Sequence, residues 1–234
     1  MRSLKDKVVV IAGATGGIGT VLVDSFLEAG AYVAAIGRRG TLPERMRMLS
    51  IKANLTEEIH ARMAANTIVS SLGSIDVLVN AVGIVRNDKA ENMVLEDFRA
   101  VMDTNVTSTF LMSRAVLPQM RKQKSGNIVN IGSVVGDLGG RGCINYAASK
   151  AALVGLTKAL QNESIADGIL VNLLTLGYMD VGMGSALPDK VSDAVKRSIP
   201  LGRFGTGQEL ADAVLFLSTT TYMAGGELRF AGGL

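Results

Sequence analysis

The 234 residues predict an α/β fold: a doubly wound, parallel, seven-stranded sheet with helices on both faces. Three observations predict it. Short apolar, β-branched runs alternate with longer amphipathic stretches, the order of strand and crossover helix in a parallel sheet. The first such run ends in a glycine-rich turn that opens directly into a helix. A composition of 48% hydrophobic residues with 27 glycines and few aromatics suits buried strands joined by tight turns.

The elements follow in order. Lys7-Val8-Val9-Val10-Ile11-Ala12 is the expected first strand. Gly13-Ala14-Thr15-Gly16-Gly17-Ile18-Gly19 turns the chain, and 17–29 reads as an amphipathic helix stopped by Gly30. Further strands are expected at 32–36, 49–53, 76–80, 126–132, 169–174 and 227–230. Further helices are expected at 56–72, 93–121, 146–165 and 207–219. Only 14 residues separate Arg39 from Asn54, which leaves room for a short helix. No Pro/Ser-rich linker, repeat or low-complexity tract divides the chain, so one domain over 1–234 is expected.

Composition also narrows the function. No apolar stretch reaches the ~18–20 residues of a membrane span, and no secretory signal precedes the first strand. The net charge of +3 is modest and dispersed, without the basic patch of a nucleic-acid binder. The single cysteine, Cys143, excludes an internal disulfide and suits a cytoplasmic protein. The single histidine, His60, has no Cys or His partner in its polar stretch, so no metal site is expected. That scarcity also argues against a Ser-His-Asp hydrolase.

Two motifs carry chemistry. A glycine-rich turn between a strand and a helix lets backbone N–H groups approach a pyrophosphate, whose charge the helix dipole favours. The spacing here is Gly-x-x-x-Gly-x-Gly, over Gly13, Gly17 and Gly19. The second motif is Tyr146-Ala147-Ala148-Ser149-Lys150, with Ser133 thirteen residues upstream. Residues i and i+4 share a helix face, so the phenol and the ammonium would lie side by side. A free tyrosine has a pKa of about 10. A neighbouring cation lowers it and makes the pair an acid/base for a carbonyl or alcohol oxygen. Of four tyrosines, only Tyr146 has a lysine four residues on.

Together and in this order the motifs resemble the short-chain dehydrogenase/reductase family, in its compact form with a single Rossmann domain. Gly13, Gly17 and Gly19 match its glycine loop, and Asp76–Gly83 its fourth strand and the following Asn-Asn-Ala-Gly turn. Asn105 matches its helix asparagine, and Ser133, Tyr146 and Lys150 the rest of its catalytic tetrad. Ile199–Gly205 and Phe230–Gly233 also fit. Within the family, Gly83–Asp88 and Gly132–Gly136 are most similar to 3-oxoacyl-thioester reductases of fatty acid biosynthesis.

The resemblance implies an oxidoreductase that moves hydride between a nicotinamide and a carbonyl or secondary alcohol. Tyr146 would donate the proton, and Ser133 would hydrogen-bond the same oxygen. Lys150 would lower the Tyr146 pKa and hold the nicotinamide ribose, and Asn105 would hold a water linking Lys150 to solvent. Thr15, Gly16 and Ile18 complete the expected glycine cradle. Asn54 and Leu55 would border the adenine, and Asn80, Ala81 and Gly83 would lie at the cofactor turn. Gly177 and Met179 complete the expected cofactor set. The stretch Tyr178–Ser198 lies where this fold places a substrate lid.

An acidic residue at the end of the second strand would favour NAD, but Gly37 stands there, followed by Arg38 and Arg39. An arginine pairs well with a 2′-phosphate, so NADP(H) is expected, with NAD(H) as the alternative. The chain departs from the family pattern at four places around the cofactor and a fifth at the expected carrier-binding position. Asn54 replaces an aspartate, Ala81 the second Asn of the turn, Leu176 a proline, and Val181 a threonine near the carboxamide. Gly16 stands where many NADP-using relatives carry a basic residue. Carrier-protein reductases also tend to present two basic residues at the site mouth, and here those places hold Lys124 and Asp167. Asp167 would repel an acidic carrier, which raises CoA thioesters or a small ketone as substrates.

The leading expectation is therefore an NADP-dependent reductase of a 3-oxoacyl thioester. One alternative keeps the chemistry on a cyclic, sugar or steroid-like ketone or alcohol. The other is a non-catalytic nucleotide-binding subunit. The resemblance also implies a homotetramer, in which helices 93–121 and 146–165 would form the dimer and the apolar C-terminal stretch would complete the tetramer.

Overall fold

The computed structural model describes residues 2–234. Seven parallel strands form one sheet in the order β3-β2-β1-β4-β5-β6-β7. They are β1 (Val8–Ala12), β2 (Tyr32–Gly37), β3 (Met48–Lys52), β4 (Val77–Asn80), β5 (Gly126–Ser133), β6 (Ile169–Leu176) and β7 (Glu227–Phe230). The chain builds outward from β1 to β3, then returns to place β4 beside β1. That reversal opens a crevice beyond the carboxyl ends of β1 and β4, where ligands of such sheets bind.

Strand residues alternate between two apolar layers, as the two-residue period of a strand requires. Val9, Ile11, Val33, Val79 and Val129 face α1 (Gly17–Glu28) and α8 (Gly207–Thr219) through Leu22, Phe26, Leu210 and Val214. Val8, Val10, Ile36, Leu78 and Ile128 face the other way. They meet α2 (Glu58–Leu72) and α4 (Ser108–Gln123) through Ile68, Met112, Val116 and Met120. The catalytic-motif helix α6 (Ile144–Ser164) packs on β5 and β6.

Three local features differ from the sequence expectation. The expected short helix after β2 is absent; residues 38–47 form an irregular loop. Its end is held by Arg47, which donates to the Gly30 carbonyl at 2.8 Å and lies 4.8 Å over the Tyr32 ring. The expected single helix over 93–121 is three pieces: α3 (Leu95–Met102), a π-helical turn at Asp103–Thr107, and α4. The expected lid is partly helical, with α7 at Asp189–Ser198, and a short α5 (Val135–Leu138) follows β5. No helix among the described residues is long and apolar enough to cross a membrane.

Candidate active site

The nucleotide end of the site grows from the turn after β1. Both Gly13 N–H and Ala14 N–H donate to the Ile36 carbonyl at 2.9 Å, pinning the turn to the end of β2. Gly13 sits at φ +90°, and a Cβ there would lie 2.8 Å from the Ala81 carbonyl oxygen. A Cβ on Gly19 would press on the Ala14 Cα at 2.6 Å. The turn is therefore closed to side chains. Gly16 caps α1 without a side-chain hydrogen bond, and the first turn carries no acidic residue. Those features leave N–H groups and a positive dipole end to meet an anion.

This turn lines a cleft of about 380 Å³. Thr15, Gly16, Arg38, Arg39, Asn54, Leu55, Ala81, Gly83, Thr104, Ser108 and Met183 are among its lining. A dinucleotide fits this cradle: glycines where backbone must approach, an uncapped helix start, and two arginines at the far end. Arg38 and Arg39 are exposed, and neither forms an ion pair among the described residues. Gly17 and Ile18 begin α1, and the Gly182 backbone lies against both.

The reacting end lies where β5 stops. Ser133 is its last residue, and its Oγ accepts from the Val135 N–H at 3.2 Å. Tyr146 and Lys150 lie one turn apart in α6, with the Lys150 Nζ 5.6 Å from the Tyr146 ring centroid. The Lys150 ammonium donates to the Ile131 carbonyl at 2.8 Å, and the residue is only 4% exposed. Burial disfavours its charge and lowers its pKa to about 8. Burial also pushes the Tyr146 phenol above its usual range, with the Ser133 hydroxyl pulling the other way. The net direction is therefore upward, against the lowering expected from the Tyr146/Lys150 spacing, because desolvation is the largest effect on the phenol.

Asn105 occupies the π-helical turn and is 0% exposed. Its Oδ1 accepts from the Ile84 N–H at 2.8 Å. Its Nδ2 donates to the Ile84 carbonyl at 3.1 Å and to Ser149 Oγ at 2.9 Å. Ser149 Oγ in turn donates to the Tyr146 carbonyl at 2.7 Å. Both Nδ2 protons of the amide are thus spent on protein acceptors. π-turns in long helices recur at functional sites, and this one aims an amide at the catalytic helix.

One further observation decides the family. The profile described as short chain dehydrogenase matches residues 7–192, a span that holds the glycine turn, the cleft and all four of these side chains. The chain belongs to the short-chain dehydrogenase family. It is 36% identical to the 3-oxoacyl-[acyl-carrier-protein] reductase FabG of Vibrio cholerae serotype O1, over 99% of this chain and 98% of that protein. Identity to the reductase of the same name from Aquifex aeolicus is also 36%, and to that from Escherichia coli K12 it is 32%, with the same coverage.

Several expected residues of this short-chain dehydrogenase do not line the cleft. Asn80 is 2% exposed; its Nδ2 donates to Ser113 Oγ at 3.1 Å and to Asn130 Oδ1 at 2.9 Å. Its side chain thus ties β4 to β5 and α4 rather than lining the cleft. Met179 is buried among the core residues, and the Gly177 N–H donates to the Phe230 carbonyl at 2.9 Å. Val181, the residue in place of the family threonine, packs 3.2 Å from where a Gly207 Cβ would stand. Lys124 and Asp167 are not at the mouth of this site. They pair at 2.5 Å, with Arg121 at 3.1 Å, just before β5 and β6 begin. Eight residues of strand put them about 25 Å from Ser133.

Thr104, Ser108, Met183 and Ser149 escaped the sequence reading. Thr104 and Ser108 flank Asn105 one turn apart, and Ser149 precedes Lys150, so their proximity to the tetrad was the available signal.

Proposed function

We propose that this short-chain dehydrogenase is an NADP-dependent reductase of a 3-oxoacyl thioester. The observation that carries the reading is the meeting of Ser133, Tyr146 and Lys150 at the end of β5, beside a glycine-cradled cleft that ends at Arg38 and Arg39. The similarity to carrier-protein reductases supports the substrate class.

When bound, the dinucleotide supplies the hydride. Tyr146 gives its phenolic proton to the oxygen of the reduced carbonyl, and Ser133 Oγ hydrogen-bonds that oxygen and polarises it. Lys150, held by the Ile131 carbonyl, places a positive charge by the phenolate that remains. Asn105 and Ser149 hold the backbone of Tyr146 in register. Arg38 and Arg39, which line the cleft, would pair with the 2′-phosphate that distinguishes NADP from NAD. Tyr178–Ser198 acts as the substrate lid. With Leu95, Phe110 and Phe216 exposed on α3, α4 and α8, the working form is a homotetramer in the cytoplasm.

The test is oxidation of NADPH and NADH with acetoacetyl-CoA, followed by nicotinamide absorbance. Faster turnover with NADPH supports the reading. Absence of turnover in protein that binds NADPH moves the substrate to another ketone or alcohol.

A further inference from the structure

Gly37 ends β2 at the position where an acidic residue would hold the adenosine ribose, and its surroundings are closed. A Cβ built there would stand 2.7 Å from Thr15 Oγ1, closer still to Thr15 Cγ2, and 2.9 Å from the Gly40 carbonyl oxygen. The main chain cannot retreat from Thr15. The Ile36 carbonyl accepts from both Gly13 N–H and Ala14 N–H at 2.9 Å, and the Gly37 carbonyl accepts from Ala53 N–H at 3.1 Å. The Gly40 side is softer. It lies in the irregular 38–47 loop, and nothing stands within 4 Å of where a Gly40 Cβ would be. Thr15 is the rigid wall, because its β-branched side chain has few rotamers and stands on the pinned turn.

We propose that Thr15 and Gly37 form a selectivity pair: Thr15 fills the space that a side chain at 37 would need, and so excludes the acidic residue that would favour NAD. Arg38 and Arg39 are then the charged groups left at this end of the cleft. The inference rests on the NADP reading and adds a residue to it. Conversion to NAD use needs two substitutions, one to open the space and one to fill it.

The experiment measures binding rather than turnover. Wild type, Thr15→Ala, Gly37→Ala, Gly37→Asp, Thr15→Ala/Gly37→Ala and Thr15→Ala/Gly37→Asp are compared for melting temperature and for affinity toward 2′,5′-ADP and 5′-ADP by calorimetry. Gly37→Ala and Gly37→Asp are expected to lose about tenfold or more in 2′,5′-ADP affinity and to melt lower. Thr15→Ala/Gly37→Ala regains the 2′,5′-ADP affinity. Thr15→Ala/Gly37→Asp regains the melting temperature and binds 5′-ADP about tenfold more tightly than wild type does. The pair is overturned if either single substitution at 37 binds and melts like its double variant, or if Thr15→Ala restores nothing. A wild type that binds 5′-ADP as tightly as 2′,5′-ADP overturns the NADP reading instead, while restoration by Thr15→Ala still reports on the pair.

Discussion

Asn105 Nδ2 donates to Ser149 Oγ across 2.9 Å, joining the π-helical turn to the catalytic helix one residue before Lys150. Ser149 passes the link to the Tyr146 carbonyl at 2.7 Å, and Asn145 Oδ1 takes the Tyr146 N–H at the same distance. Asn145 Nδ2 is anchored on the Arg86 carbonyl at 2.9 Å. The backbone of Tyr146 is thus held on both sides by buried side chains, and both are tied to the loop after β4.

Removing the middle of this chain should cost activity more than binding. Ser149→Ala strands a buried Asn105 donor, a loss of about 1–3 kcal/mol. It also frees Tyr146 to drift from its productive position, and small misplacements of that kind cost up to about a hundredfold. The expected outcome is a kcat reduced about ten- to a hundredfold with the NADPH dissociation constant little changed. Steady-state kinetics beside fluorescence titration check it, and an unchanged kcat would refute the positioning role.

Tyr146→Phe removes the phenolic proton that the proposed mechanism delivers to the carbonyl oxygen and keeps the ring. Turnover should fall by about 10³-fold or more, within the range of a lost general acid. The melting temperature and NADPH binding should stay close to wild type. Full activity in this variant would transfer the proton to another group and dismantle the mechanism.

The ionisation states set a direction on pH. Burial holds the phenol protonated through neutrality, which suits reduction. Lys150 loses its charge as pH rises through about 8, and with it goes the cation that stabilises the phenolate left after proton donation. Reductive kcat/KM should therefore be level below that value and fall above it, since this ratio reports groups of the free enzyme. A profile level between about pH 6 and 10 would contradict the assignment.

How much of this was written locally in the chain varies by residue. The Tyr146/Lys150 pair was legible because an i, i+4 spacing is a local pattern, and Ser133 joined it through the family resemblance. The glycine turn was legible for the same reason. The π-turn was not, since an extra residue in a helix leaves no mark in apolar periodicity, and 93–121 read as one helix. The inward turn of Asn80 was hidden too. Its neighbours Ser113 and Asn130 are far away in sequence, and only the sheet brings them together. The upward net shift of the phenol was hidden because spacing says nothing of desolvation, which is here the largest effect on it.

Desolvation leads to the last expectation, that the buried Lys150 destabilises the fold. A fall in pKa from 10.5 to about 8 corresponds to about 3 kcal/mol held against the charged form. Below the lowered value the lysine is charged in folded and unfolded chains alike, so the full penalty is present at neutral pH. Between the two values the unfolded chain binds more protons, so wild-type stability gains as pH rises through that window. Lys150→Met keeps the length of the side chain and removes the charge. It also gives up the bond to the Ile131 carbonyl, worth about 1 kcal/mol. The net expectation is an inactive protein about 1–2 kcal/mol more stable than wild type near pH 7, the trade expected of a strained site. Its advantage should shrink as pH rises from about 8 toward 10.5. Urea titrations of both proteins across that range measure it, and a variant less stable than wild type at neutral pH would show that the buried ammonium is a net stabiliser.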